Sequence, residues 1–206
     1  MVKYAVMASG SGTDFQSAVD AQAAGKIPHG EIVALISNKI NSGALARARR
    51  AGIPAYFVDH IRSQECIDRE IIKILKDSGA EFVFLAGFLK KVGPAILDIM
   101  PVYNIHPAID LGRFGGRGMH GLNVHQAVID AGESATGATI HRCGVQYDSG
   151  AVLMQTPRIA ILKTDTAESI QQRVLYEEHK LIPQFLNKLT SEMEVRKNKS
   201  REQKII

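Results

Sequence analysis

The sequence is poor in cysteine: Cys66 and Cys143 are the only two in 206 residues, far apart and without CxxC spacing. That excludes a disulfide framework and suggests no zinc site. Long apolar runs are also missing. The longest, such as 82–88 and 159–162, fall far short of the roughly 18–20 residues needed to cross a bilayer, so no transmembrane helix is expected. The N-terminal stretch MVKYAVMASG lacks the basic, apolar and cleavage regions of a signal peptide and reads as a buried strand running into glycine. A cytoplasmic chain is therefore expected. Internal repeats, low-complexity linkers and composition breaks are absent as well, which argues for one domain. The seven histidines form no short-spaced cluster, so no metal is expected.

What remains is 45% hydrophobic and 22% charged, enough for a single well-buried core. The formal net charge is +4, and half of that surplus lies in residues 190–206. There Arg196, Lys197, Lys199, Arg201 and Lys204 outnumber Glu192, Glu194 and Glu202. Without interleaved aromatics this stretch reads as a solvated, disordered tail rather than a nucleic-acid arm, and the expected domain is 1–189.

Short apolar runs alternate with helix-period segments, the pattern of parallel strands joined by crossover helices. The pattern predicts strands over 3–8, 31–36, 55–58 and 82–86, and helices over 13–23, 44–51, 94–100 and 124–131. Ser63 is a plausible N-cap for a helix whose Ile67, Ile71, Ile74 and Leu75 make one stripe. Later strands are expected over 138–142 and 152–161, then a closing helix over 167–189. The fold class that follows is α/β, a single doubly wound, mostly parallel sheet.

Three places carry candidate chemistry. Ser9-Gly10-Ser11-Gly12-Thr13-Asp14 joins a strand to a helix, where glycines and free N–H groups can hold a phosphate. A dinucleotide fingerprint would need a glycine at Phe15 and an acidic residue where Asn38 and Lys39 stand, so NAD is not expected. In Val102-Tyr103-Asn104-Ile105-His106-Pro107, a strand ends in two polar side chains at i and i+2, on one face and able to meet one ligand. There an amide and an imidazole could stabilise an oxyanion. Asp148 stands in a turn, Gln146-Tyr147-Asp148-Ser149-Gly150, as an ordinary turn former or as a carboxylate partner of His106. Such a partner would hold His106 protonated at neutral pH. His125 and His141 read as a helix-start residue and a strand-surface residue.

These residues also carry a resemblance. The segments 9–16, Ser37-Asn38-Lys39, Arg47-Ala48-Arg49, Leu85-Ala86-Gly87-Phe88, Asn104-Ile105-His106-Pro107, 121–125, 137–141, Asp148-Ser149-Gly150 and Glu178-His179 occur in order. Together, over residues 1–189, they resemble the phosphoribosylglycinamide formyltransferase family. The resemblance implies a Rossmann-like fold and transfer of formyl from 10-formyltetrahydrofolate, as co-substrate, to the amine of glycinamide ribonucleotide in purine biosynthesis. It implies Asn104, His106 and Asp148 as the catalytic trio, and Gly12, Thr13, Asp14 and Glu178 for the ribonucleotide. Leu89, Lys90, Lys91 and Val92, with Asn104, fall on the folate side. Partners are expected to be these small molecules, with neither nucleic acid nor membrane, and a homodimer is left open. An alternative is a folate- or nucleotide-binding protein of the same build with altered or lost turnover. The chain departs from the family pattern after His106-Pro107, where Ala108-Ile109-Asp110-Leu111-Gly112-Arg113-Phe114 replaces the usual Ser-Leu-Leu-Pro-Lys-Phe and is one residue longer. It departs again at Leu89-Lys90, usually Met-Arg, and at Gln64, often arginine or lysine.

Overall fold

The computed structural model describes residues 1–203. In chain order the elements are β1 (Val2–Met7), α1 (Thr13–Ala23), β2 (Gly30–Ser37), α2 (Gly43–Arg50), β3 (Ala55–Phe57), α3 (Gln64–Ser78), β4 (Phe82–Leu85), α4 (Pro94–Ile99) and β5 (Val102–His106). They continue with α5 (Leu111–Phe114), α6 (Leu122–Asp130), β6 (Ala135–Thr136), β7 (Thr139–Arg142), β8 (Val152–Gln155), β9 (Ile159–Ala160) and α7 (Ala167–Glu202). One seven-stranded sheet runs β3-β2-β1-β4-β5-β7-β8. Its first five strands are parallel, and β7 and β8 extend it antiparallel. β6 and β9 form a separate two-stranded ribbon. This is the expected α/β, mostly parallel architecture.

Alternation along the strands explains why both faces are covered. In β1, Val2, Tyr4 and Val6 join a core shared with Phe15 and Ala18 of α1, Leu45 of α2 and Ile182 of α7. Ala5 and Met7 turn to the other face, against Ile67, Ile71 and Leu75 of α3 and Ile96 of α4. β4 repeats the division, with Phe82 and Phe84 on one side and Val83 and Leu85 on the other. A central strand buried on both faces has no reason to alternate in polarity, hence its uniformly apolar sequence.

Several sequence expectations are corrected. The stretch 152–161 is two short strands rather than one, broken at Pro157, which has no N–H to give a ladder. α5 and β6 were not expected, being only four and two residues long. Residues 190–202 are not a disordered tail: α7 continues through them to Glu202. The apolar stripe persists there, with Thr190 fully buried and Met193 packed on the core. Lys197 Nζ meets Glu81 Oε1 at 2.7 Å, and the Met1 amino group lies 3.5 Å from Glu194 Oε2. Lys204, Ile205 and Ile206 of that expectation lie outside the described residues.

Candidate active site

A cleft of about 750 Å³ opens at the carboxyl ends of β1, β4 and β5. This is where an open α/β sheet places its ligands, because the strand-to-helix turns diverge there. At one end stands the turn after β1. Gly12 is the N-cap residue of α1 with φ +75°, and a Cβ there would lie 2.7 Å from the Ala44 Cα. Both the left-handed backbone and the close approach of α2 demand glycine. No side chain caps α1, so its first N–H groups are free beside Ser11, Thr13 and Asp14 in the cleft wall.

α7 brings Glu178 to the same end of the cleft. Burial, reinforced by the charge of Asp14, pushes its carboxyl well above the usual carboxylate range. His179 Nε2 lies 3.4 Å from Asp14 Oδ1 on the other side.

β5 delivers Asn104 and His106 together, and the turn between β7 and β8 delivers Asp148. Asp148 is the single non-glycine residue with positive φ among the described residues, at 48°. A strained backbone of this kind persists where its surroundings fix it, often at a functional site. Its Oδ1 accepts a hydrogen bond from Asn104 Nδ2 at 3.2 Å and lies 3.5 Å from His106 Nδ1. Its Oδ2 accepts from the Gly116 N–H at 2.8 Å. Burial works to raise the Asp148 carboxyl, yet His141, His106 and the Gly116 N–H outweigh it and hold the group below its ordinary value.

His106 corrects the expectation of a resting imidazolium. Burial pushes it below the usual imidazole value; Asp148 and the Phe114 carbonyl pull it back without restoring it, and His141 adds to the fall. Its Nε2–H donates to the Phe114 carbonyl at 2.8 Å. In its neutral form a ring held this way carries the lone pair on Nδ1, the Asp148 side.

Two histidines that the sequence left as ordinary belong to this constellation. His141, expected on a strand surface, is 1% exposed and accepts from Asn104 Nδ2 at 3.1 Å. Its Nδ1 lies 3.2 Å from the Arg142 carbonyl, to which it donates, leaving Nε2 as the acceptor. His125, expected as a helix-start residue, is buried in the cleft wall with Nδ1 unpartnered, and burial followed by the nearby His106 pushes it down to about 4. The alternation Thr139-Ile140-His141 beside a buried strand was the one available signal for His141. Nothing local marked His125.

Leu89 and Lys90 line the cleft, held by the buried Ser9, whose Oγ accepts the Leu89 N–H at 2.8 Å. The other two residues of that stretch do not share the position. Val92 turns into the core with α3 and α4, and Lys91 is exposed outside the cleft lining. Burial, then the charge of Asp148, push the Cys143 thiol up to about 12, which leaves no thiolate to act as a nucleophile.

A model of the formyl transferase family matches residues 2–186. The chain belongs to the formyl transferase family. Among its relatives is the chloroplastic phosphoribosylglycinamide formyltransferase of Arabidopsis thaliana, 35% identical over 195 residues, covering 92% of this chain and 66% of the relative. The chain thus spans just under two thirds of that plant protein. The phosphoribosylglycinamide formyltransferase of Haemophilus influenzae is 33% identical over 187 residues, covering 89% of this chain and 84% of its own. The crystal structure of glycinamide ribonucleotide transformylase 1 from Symbiobacterium toebii superposes with a TM-score of 0.85 at 31% identity, over 93% of this chain and 88% of that one. The formyl transferase fold is therefore that of this chain.

Proposed function

We propose that this formyl transferase moves the formyl group of 10-formyltetrahydrofolate onto the amine of 5′-phosphoribosylglycinamide, a step of purine biosynthesis. The observation that carries the reading is the convergence of Asn104, His106 and Asp148 in one cleft that also holds the phosphate-type turn at Ser11–Asp14. The free N–H groups of α1 suit the ribonucleotide phosphate, with Gly12 shaping the turn and Thr13, Asp14 and Glu178 lining the same end. Leu89 and Lys90, with Asn104, suit the folate side; Val92 anchors the loop in the core, and Lys91 stands outside the cleft lining.

The chemistry follows from protonation. The substrate amine attacks the formyl carbon directly, and the proton it releases passes to the His106–Asp148 pair, whose neutral ring and ionised carboxylate are both ready to accept. The imidazolium so formed then faces the new oxyanion, which it stabilises electrostatically. Collapse of the tetrahedral species returns the carbonyl, breaks the bond to N10 of the folate and gives that nitrogen the proton. Formyl and proton balance without a covalent enzyme intermediate, a metal or NAD.

Asn104 takes a modified role. Both hydrogens of its amide are engaged, by Asp148 and by His141, so in the resting site it orients the carboxylate and offers its own oxygen as an acceptor.

The test is a spectroscopic assay of folate product with glycinamide ribonucleotide as acceptor, beside equilibrium binding of both substrates. Turnover dependent on both supports the proposal. Binding without turnover would instead identify a binding protein of the same build, and binding of neither would remove the reading altogether.

A further inference from the structure

Two successive carbonyls of the turn after β1 are taken up by α2. The Ala44 N–H donates to the Gly10 carbonyl at 3.3 Å, and Arg47 Nε donates to the Ser11 carbonyl at 2.9 Å. The helix lies close enough to reach both: a Cβ on Gly43 would sit 2.6 Å from the Ser11 carbonyl oxygen. Its start is fixed by Ser42, whose Oγ accepts the Leu45 N–H at 3.3 Å. Arg47 is aimed by a second contact. Its Nη1 donates to Gln16 Oε1 at 3.2 Å, and Gln16 Nε2 donates in turn to Asp20 Oδ1 at 2.8 Å, so the guanidinium bridges the turn to α1.

Peptide planarity carries the consequence. In a trans peptide the N–H points opposite to the C=O. With both carbonyls drawn toward α2, the N–H groups of Ser11 and Gly12 are turned the other way, and among the described residues no acceptor meets either of them. Gly12 is buried, where a backbone N–H is nearly always paired. Ser11 and Thr13, on either side of it, line the cleft, whereas Arg47 stands outside the cleft lining, behind the turn. These donors adjoin the free N–H groups of α1 and together make a concavity suited to an anion.

We infer that Arg47 is a positioning residue for the ribonucleotide phosphate: from behind the turn it holds the Ser11–Gly12 peptide in the orientation that offers the Gly12 N–H to an anion in the cleft. Without the guanidinium that peptide is free to rotate, since glycine at position 12 accepts either backbone state at little cost. A flipped peptide would present the Ser11 carbonyl, the negative end of its dipole, to the phosphate. The kinetic side of this inference rests on the proposed formyl transfer; the orientation of the peptide does not.

The test compares the whole chain with Arg47→Ala, Arg47→Lys and Gln16→Met, by backbone NMR during titration with inorganic phosphate and by steady-state kinetics. In wild type, phosphate is expected to move the Gly12 amide resonance. Arg47→Ala should shift the Ser11 carbonyl carbon and the Gly12 amide at rest, and weaken their response to phosphate. Its ribonucleotide KM should rise about tenfold, the scale of one charge-assisted hydrogen bond. The folate KM and kcat should stay within about twofold, since the reacting end of the cleft is untouched. Arg47→Lys separates charge from orientation, because lysine keeps the charge but lacks the fork that reaches Ser11 and Gln16 together. Its ribonucleotide KM must follow its Ser11 and Gly12 resonances; a wild-type KM beside alanine-like resonances overturns the inference. Should Arg47→Ala not fold, Gln16→Met leaves the guanidinium in place but unaimed, and must move the same resonances and the same KM in the same direction by a smaller amount. A wild-type Gly12 amide that ignores phosphate, or unchanged resonances in whichever variants fold, overturns the inference as well. A wild type that binds phosphate at Gly12 but never turns over defeats the formyl-transfer reading instead, and the NMR comparison still decides this one.

Discussion

Asn104 on β5 stands directly opposite His141 on β7, and its amide nitrogen meets the ring Nε2 at 3.1 Å. The antiparallel strand thus contributes a brace that the parallel part of the sheet could not supply. His141→Leu keeps the volume roughly but leaves an amide hydrogen unpaired in a buried place, a cost of about 1–3 kcal/mol. Denaturant titration should register that loss. The kcat should fall at least about tenfold while KM changes little, because the brace orients Asp148 rather than substrate.

Asp148→Asn keeps size and removes charge. Since Asp148 raises the imidazole value of His106, its loss should lower that value further, as an NMR titration would show. Turnover should drop by roughly 10²-fold, the scale of a positioned acid–base group, with substrate affinity much less affected. Near-normal turnover would return Asp148 to an ordinary turn residue.

Acid stability should depend on His125. Its value is pushed down to about 4 in the folded protein, against about 6.5 when unfolded. The unfolded chain therefore binds the extra proton first. The contribution of the neutral ring is complete above pH 6.5 and is lost as pH falls toward about 4, amounting to roughly 3 kcal/mol. The same sign holds for His106, whose value is also lowered. Melting temperatures measured from pH 7 to 4 should fall less steeply in His125→Gln than in wild type; parallel curves would contradict the assignment.

Replacing Gly12 by valine forces a Cβ against Ala44 at a positive φ. The turn must shift, at about 1–3 kcal/mol of strain, and ribonucleotide KM should rise well before folate KM does. Isothermal titration with each ligand separates the two, and a loss confined to folate would place the phosphate elsewhere.

Removing residues 190–206 should lower the melting temperature, since it strips Thr190 and Met193 from the core and breaks the Lys197–Glu81 pair. About 2 kcal/mol of lost burial corresponds to a fall of roughly 4–8 °C in a domain of this size. Turnover at 25 °C should persist, because the cleft-lining residues of α7 lie earlier in the helix.

The parallel sheet was legible because each of its strands is a local object, a short apolar run bounded by turn residues. Asn104 and His106 were legible too, sharing one strand face two residues apart. The pairing of His141 with Asn104 was not, since it depends on which strand joins the sheet antiparallel, a choice made by packing rather than by the pattern of 139–142. The charge of His106 was misjudged because a partner carboxylate is visible in sequence while the depth of burial that opposes it is not. The tail failed for a related reason. Its charges are conspicuous, but Thr190 and Met193 continue the helix stripe with only two side chains, too few to outweigh the composition of 190–206.

The cleft draws its walls from Ser11 at one extreme of the chain and Glu178 at the other, with Leu89, Asn104, His125 and Asp148 between. No contiguous fragment contains it. During synthesis the nascent chain could fold β1 through β4 while still tethered, yet the ribonucleotide end would lack Glu178 until α7 had emerged and docked. Closing so long a loop is the slow part of such a topology. Nascent chains, and chains cut ahead of Glu178, should therefore be inert, and activity should arrive in a single step as the first half of the last helix docks.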